Sequence, residues 1–154
     1  MFNIVLFNPQ IPPNTGNIGR LCVNAGATLH IVKPIGFDIS QKAVKRAGLD
    51  YWDKLNLVIW ESVDEFLNNV NLKKCHFATT KTNKPYFEAK FEAGDYLIFG
   101  SETKGIDENI LNKYKDRCIT IPMKKEGRSL NLAVSCGIIL YEAIKQNYSL
   151  WRKE

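Results

Sequence analysis

The chain has 154 residues, of which 45% are hydrophobic and 24% are charged. This composition excludes a disordered tail, a collagen-like fibre and a coiled coil, and the length suits one domain spanning residues 1–154. The formal charge is +5, because Lys and Arg number 21 against 16 for Asp and Glu. A basic surface attracts phosphate backbones, so the charge is a mild indication of a nucleic-acid partner.

The sequence has no feature of export or membrane insertion. Its first residues show neither a basic lead nor a small-residue cleavage site, and no apolar run approaches the roughly 18 residues of a membrane span. The four cysteines are Cys22, Cys75, Cys118 and Cys136, too far apart for a zinc knuckle or a C-x-x-C pair. We therefore expect a cytoplasmic protein without membrane association, with reduced, buried thiols and no metal.

In chain order, short apolar runs alternate with helical patterns. The apolar runs predict strands at 4–7, 28–32, 57–60, 75–79, 96–99 and 118–121. The patterns predict helices at 14–25, within 40–54, and at 63–70, 107–114 and 130–146. Gly26 is expected to end the first helix and Ser129 to cap the last. The alternation predicts an α/β fold with a mostly parallel sheet and helices on both faces.

Ligands of such sheets bind beyond the carboxyl ends of the strands, so the loops there are the candidate site. The first loop leads into a helix that Asn14 or Thr15 is placed to cap. Arg20 is expected in the first two turns, where a cation opposes the helix dipole. Contact with a phosphate or carboxylate would account for Arg20, and a solvated surface arginine is the alternative. The loop lacks both the Walker and the dinucleotide glycine spacing.

Two further loops carry polar groups beyond strand ends. In residues 100–106, Gly100 and Gly105 bracket the carboxylate of Glu102, which suits a small-molecule pocket or, alternatively, a capped turn. In residues 121–132, a stiff apolar tripeptide precedes a basic stretch, and then Ser129 and Asn131 bring polar groups to the last helix. Asparagine disfavours helix interiors, so Asn131 is expected to serve a ligand or the backbone.

These three loops, in this order and spacing, resemble the motifs of the SPOUT methyltransferases. Residues 14–20 resemble the first motif, residues 99–106 the second, and residues 121–123 with 129–132 the third. The resemblance runs from residue 3 to about residue 146. Segments 14–37 and 46–51 are similar to the short YibK-type members, which methylate the ribose 2′-hydroxyl of the wobble nucleotide in leucine tRNAs. Residues 133–135, Ala-Val-Ser, are instead closer to the ribosomal-RNA relatives.

The resemblance implies an α/β fold with a deep C-terminal trefoil knot and a homodimer with cofactor sites near the subunit interface. It implies S-adenosylmethionine as the cofactor and tRNA as the substrate. The implied cofactor-binding residues are Ala78, Thr79, Gly100, Glu102, Ile121, Met123, Ser129 and Leu130. The implied catalytic residues are Arg20, Glu102, Ser129 and Asn131, with Arg20 reaching the other subunit's active site. Because a guanidinium stays protonated, we expect Arg20 to orient the hydroxyl and hold the adjacent phosphate.

Basic and aromatic residues outside the motifs are candidates for RNA contact. The basic candidates are Lys42, Lys45, Arg46, Lys104, Lys124, Lys125 and Arg128, each of which has a solvated surface charge as its alternative. Tyr51 and Trp52 suit either base stacking or core packing. His30 and His76 lie in or beside apolar strands, where core packing is expected.

Three other functions stay open. The same chemistry on ribosomal RNA is one, and a catalytically silent RNA-binding protein is another. The joint presence of Arg20, Glu102, Ser129 and Asn131 argues against silence, because binding alone would not need that set. An unrelated nucleotide-binding α/β protein is the third, and it predicts no selective binding of S-adenosylmethionine.

Overall fold

Six strands form one sheet in the computed structural model, which describes residues 1–47 and 49–154 and, of Gln41 and Lys45, the backbone only. The strands are β1 (Asn3–Phe7), β2 (Thr28–Val32), β3 (Leu57–Trp60), β4 (Cys75–Ala78), β5 (Tyr96–Phe99) and β6 (Cys118–Ile119). Their order across the sheet is β3-β2-β1-β5-β4-β6, and the described pairings between neighbours are all parallel. The predicted parallel α/β sheet is confirmed.

The helices alternate with these strands as the sequence predicts. They are α1 (Pro12–Ala25), α2 (Gln41–Arg46), α3 (Val63–Asn69), α4 (Glu108–Lys113), α5 (Leu132–Gln146) and α6 (Tyr148–Trp151). The stretch predicted as helical within 40–54 divides into α2 and a 3-10 helix at Asp50–Lys54. Gly26 ends α1 with a φ of 66°, a left-handed conformation that glycine adopts without steric cost.

The helices cover both faces of the sheet. On β1, Ile4 and Leu6 pack into one cluster with residues of α1 and α5, whereas Val5 and Phe7 pack into a second cluster with residues of α3 and α4. Alternate side chains of a strand point to opposite faces, so a strand covered on both sides is predominantly apolar. This is why the strands are readable as continuous apolar runs.

Two predicted helix starts are wrong. Helix α5 begins at Leu132, because the side-chain oxygen of Asn131, and not that of Ser129, accepts hydrogen bonds from the first free N–H groups of the helix. Helix α1 begins at Pro12, and its cap residue Ile11 makes no side-chain hydrogen bond. Arg20 is therefore the ninth residue of α1, in its third turn, where the helix-dipole argument no longer applies.

The described cysteines are all free and buried, as predicted. The two histidines are also core residues. His30 accepts a hydrogen bond from the Trp60 indole at Nδ1 (3.0 Å), and burial lowers its pKa to about 4. His76 pairs with the buried Asp95 at 2.8 Å. In the described part of the chain, no helix is long and apolar enough to cross a bilayer.

Candidate active site

A cleft of about 440 Å³ lies at the carboxyl ends of β1, β5, β4 and β6. The chain leaves β1 toward β2, but the other sheet neighbour of β1 is β5, so the strand order reverses between β1 and β5. Open α/β sheets bind ligands at such a switch point. The cleft lining includes all the residues expected to bind a cofactor, namely Ala78, Thr79, Gly100, Glu102, Ile121, Met123, Ser129 and Leu130.

Glu102 ties the loop after β5 to the start of α1. Its carboxylate accepts hydrogen bonds from the backbone N–H groups of Gln10 (2.8 Å) and Ile11 (2.9 Å), and from the side-chain amide of Asn14 (3.2 Å). Burial tends to raise the pKa of this carboxyl. These donors and the N–H of Glu102 itself outweigh burial, so the pKa of Glu102 is lowered from its ordinary 4.5. Glu102 is therefore an ionised brace of the cleft.

Asn14 extends this network to the third loop. The side-chain amide of Asn131 donates to the Asn14 side-chain oxygen at 3.0 Å, while Asn14 in turn donates to Glu102. The oxygen of the same Asn131 side chain caps α5 through the N–H groups of Ala133 (2.8 Å) and Val134 (3.2 Å). One chain of side chains thus joins all three loops. A change at any member is expected to move the others.

The loop after β5 has its shape because of two glycines. Gly105 has a φ of 68°, and its N–H donates to the carbonyl of Ser101 at 2.9 Å, which closes the turn. A Cβ on Gly100 would lie 2.0 Å from the carbonyl carbon of Gly105. Only glycine permits this close approach of the backbone to itself. The turn places Glu102 beside α1.

The rim of the cleft is apolar and basic. Met123 and Leu130 are 39% and 41% exposed. The four basic candidates near the cleft, Lys104, Lys124, Lys125 and Arg128, are all exposed. On α2, Lys42 and Arg46 are exposed too, and the Lys45 side chain is outside the described part of the chain. Charged, solvated side chains at a cleft mouth suit a phosphate-bearing partner.

Arg20 is not part of this cleft. It projects from the far side of α1, and its guanidinium lies 5.3 Å from the centre of the Tyr51 ring, at a separate cleft. Of the four residues expected to be catalytic, Glu102, Ser129 and Asn131 therefore come together and Arg20 does not. A role for Arg20 in the other subunit's active site stays a prediction.

Asn14 and Gln10 are site residues that the sequence reasoning missed. The sequence predicts Asn14 only as a possible cap, yet it is 7% exposed and links Glu102 to Asn131. Gln10 accepts hydrogen bonds from the backbone and hydroxyl of Thr103 (3.3 and 2.6 Å). For Asn14 the sequence does hold a signal, because a short polar side chain inside a helix needs a partner other than the helix. Gln10 precedes α1 and has no such signal.

A Glu102→Gln variant is expected to lose about 1–3 kcal/mol of unfolding free energy at neutral pH, because its amide nitrogen would face an N–H donor. The lowered pKa adds a pH dependence. The contribution of Glu102 is complete above its ordinary pKa of 4.5 and disappears as the pH falls through the lower folded value. Denaturant unfolding between pH 7 and pH 3 should therefore show a steeper acid loss in the wild type than in the variant.

The matched control is Glu61→Gln, because Glu61 pairs with Lys33 at 3.5 Å while its side chain is 75% exposed. We expect it to change the unfolding free energy by no more than about 0.5 kcal/mol. If the unfolding free energies of the wild type and of Glu102→Gln fell equally steeply with decreasing pH, the bracing role of Glu102 would be contradicted.

Comparison with known proteins agrees with this architecture. Residues 1–141 match the model of the SpoU rRNA Methylase family. The chain is 42% identical over 148 residues to the tRNA (cytidine(34)-2'-O)-methyltransferase of Methylovorus glucosotrophus (strain SIP3-4), covering 96% of each chain. A solved structure described as giving insight into 2-OH methylation of C/U34 on tRNA superposes with a TM-score of 0.87, at 38% identity and 97% coverage of each chain.

A third similar protein carries a cofactor. The SpoU methyltransferase AviRb from Streptomyces viridochromogenes, in complex with AdoMet, superposes with a TM-score of 0.79 at 25% identity. The match covers 96% of this chain and 60% of that one. The family match spans most of the sequence, and the relative from Methylovorus exceeds 40% identity over nearly its full length. The chain therefore belongs to the SpoU rRNA methylase family.

Proposed function

We propose that this protein transfers a methyl group from S-adenosylmethionine to the ribose 2′-hydroxyl of the wobble nucleotide, position 34, of leucine tRNAs. The substrate nucleotide would be cytidine or 5-carboxymethylaminomethyluridine. The main observation is the joining of three loops by Glu102, Asn14 and Asn131 around one cleft at the switch point of the sheet. The similar protein from Methylovorus is a tRNA (cytidine(34)-2'-O)-methyltransferase, which supports position 34 of tRNA.

The cleft suits S-adenosylmethionine in size and chemistry. Its volume of about 440 Å³ lies within the range of small-molecule sites, about 300–1,000 Å³. Ile121, Met123 and Leu130 offer apolar surface for an adenine ring, and Lys104 offers positive charge for a carboxylate. When bound, the cofactor supplies the methyl group. No metal ligand set is expected for this chemistry.

The residues of this chain then act by holding and orienting. Ser129 presents a hydroxyl at the cleft, where it can position the ribose. Asn131 caps α5 and donates to Asn14, which leaves its second amide N–H for the ribose. Alignment of the attacking oxygen with the methyl group can lower the barrier by up to roughly 7–11 kcal/mol. Glu102 is an unsuitable proton acceptor, because its oxygens already accept from Gln10, Ile11 and Asn14. Arg20 would hold the adjacent phosphate.

A homodimer would complete this site. Arg20 lies outside the cleft of its own chain, so a second copy is needed to bring an Arg20 to it. Val134 and Tyr141, two turns apart on α5, are 51% and 46% exposed, and Leu130 at the cleft rim is 41% exposed. Exposed apolar side chains that form a stripe on a helix favour association. We infer that Val134 and Tyr141, together with Leu130, contact the second copy. We also propose that the enzyme is cytoplasmic.

A Val134→Glu variant is expected to weaken the dimer by about a hundredfold or more, because each copy would bring a buried charge to a shared interface. Glutamate in the first turn of α5 suits the helix dipole, so the fold itself should hold. Light scattering over a dilution series measures the dissociation. Val134→Ala is the size control and should remain dimeric. If the Val134→Glu protein keeps the molar mass of the wild-type dimer over the dilution series, the interface lies elsewhere.

The function is tested by incubating labelled S-adenosylmethionine with total tRNA from cells that lack this activity, followed by nucleoside mapping. A 2′-O-methylated pyrimidine at position 34 of leucine tRNAs is the expected product. Transfer to ribosomal RNA instead would favour the second candidate, which the family description and the Ala133-Val134-Ser135 segment support. No transfer to either RNA would leave a silent RNA-binding protein. A chelator should leave the rate unchanged.

A further inference from the structure

A second cleft, of about 340 Å³, lies on the opposite side of the N-terminal half of α1 from the first. It is the cleft that Arg20 borders, and none of its lining residues is shared with the cofactor cleft. Phe37, Tyr51 and Trp52 give it aromatic walls, and Ile39 adds aliphatic surface. The proposed activity assigns a role to Arg20 alone among these residues.

The aromatic wall of this cleft is fixed by contacts within the chain. The Tyr51 hydroxyl donates to the carbonyl of Gly16, and the Arg20 guanidinium lies over the Tyr51 ring. Trp52 packs so tightly on α1 that a Cβ at Gly19 would lie 2.9 Å from its indole. The cleft is thus preorganised, which reduces the entropy that a bound group must lose.

Thr15 provides a separate sign of a ligand. It lines the second cleft and is only 2% exposed, and its hydroxyl has no hydrogen-bond partner in the described part of the chain. A buried hydroxyl without a partner destabilises a protein, and native structures rarely retain one without a reason. A ligand with a polar edge that enters the cleft would satisfy it. Arg20, at the same cleft, pairs with no carboxylate among the described residues.

We infer that the second cleft binds one unstacked nucleobase of the RNA substrate, with Thr15 bonded to the polar edge of the base and Arg20 on the neighbouring phosphate. Aromatic side chains for stacking, a buried hydroxyl and a cation at the mouth match the way proteins bind single-stranded RNA. The inference rests on the proposed function, because it takes RNA as the substrate. It adds a base-binding site that lies apart from the cofactor cleft.

The inference is tested with Thr15→Val and Phe37→Leu proteins. Valine keeps the shape of Thr15 without its hydroxyl, so the variant should melt at or above the wild-type temperature while its KM for tRNA rises several-fold. Loss of a stacking ring should raise the KM of Phe37→Leu by about tenfold or more. The affinity for S-adenosylmethionine should stay unchanged in both. Thr28→Val, at the start of β2 and outside both clefts, is the control.

A binding measurement separates this inference from the proposed function. Each variant is titrated into labelled leucine tRNA, and its mass is measured by light scattering. If the wild type binds tRNA without methylating it, the proposed function fails, and weaker binding by the two variants still supports the base site. An unchanged KM and affinity for RNA in both variants would overturn the inference. So would RNA binding that falls only because the variants lose the dimer, since the cleft would then be a subunit contact.

A photo-cross-linking experiment identifies the contact between the RNA and the second cleft directly. Leucine-tRNA anticodon stem–loop carrying 4-thiouridine is irradiated with the wild-type protein, and the cross-linked peptides are mapped by mass spectrometry. Cross-links to Phe37, Tyr51 or Trp52 are expected. Cross-links confined to residues 121–131, or none to the protein at all, would contradict the base site.

Discussion

An Arg20→Ala protein is expected to bind S-adenosylmethionine as the wild type does and to methylate tRNA at least about a hundredfold more slowly. Arg20 lines no part of the cofactor cleft, so its loss should leave that cleft intact. The side chain is exposed, and its contact over the Tyr51 ring contributes only about 0.5–1 kcal/mol. The fold should therefore tolerate the change. Calorimetric titration of the cofactor and single-turnover methylation measure the two effects separately.

Arg20→Lys is the matched control for this prediction. Lysine keeps the charge but not the planar fork that holds a phosphate through two parallel hydrogen bonds. We expect partial activity, between the wild type and Arg20→Ala. Unchanged turnover in Arg20→Ala would remove Arg20 from the mechanism and with it the main reason for a shared site. Parallel loss of cofactor binding would show that the second cleft is structurally coupled to the first.

A Gly100→Ala variant is expected to lose about 3 kcal/mol of unfolding free energy and to bind S-adenosylmethionine poorly. The added methyl group would lie 2.0 Å from the carbonyl carbon of Gly105 and 2.3 Å from the nitrogen of Ile106. Both are backbone atoms, so relief requires the turn itself to open, at the upper end of the cost of overpacking. Opening the turn would move Glu102 away from Gln10 and Ile11. Denaturant unfolding at one fixed protein concentration measures the loss.

Gly36→Ala provides the comparison, because the nearest atom to its Cβ would be the Gln10 carbonyl oxygen at an ordinary 3.9 Å. We expect a change of no more than about 0.5 kcal/mol. A Gly100→Ala protein with wild-type stability and cofactor affinity would mean that the turn adopts another shape at little cost. The bracing by Glu102 would then need another explanation.

The sequence predicts the strands well because their signal is local. Residues 4–7 and 97–99 are apolar throughout, and both faces of the sheet are covered by helices, so no polar face interrupts the pattern. Gly26 marks the end of α1 correctly because a left-handed residue there favours glycine for steric reasons. Such features depend on the residues themselves and their immediate neighbours.

Helix starts are harder to predict because several nearby residues can supply the cap. Ser129 and Asn131 are both good capping residues, and they lie two positions apart. Asn131 prevails because one side chain meets two needs: its oxygen accepts from Ala133 and Val134, and its amide donates to Asn14. The second partner is 117 residues away in the chain, so no local pattern could show it.

By itself, the sequence determines an α/β fold, its three polar loops and the residue types at the cleft, because apolar periodicity and turn residues act over a few positions. Tertiary structure decides which of these residues meet. Placing β5 beside β1 brings Glu102 to Gln10, 92 residues away, and the pitch of α1 turns Asn14 toward one cleft and Arg20 toward another. Strand order and helix phase are properties of the whole packed chain, so the separation of Asn14 and Arg20 into two clefts emerges only when the chain has folded.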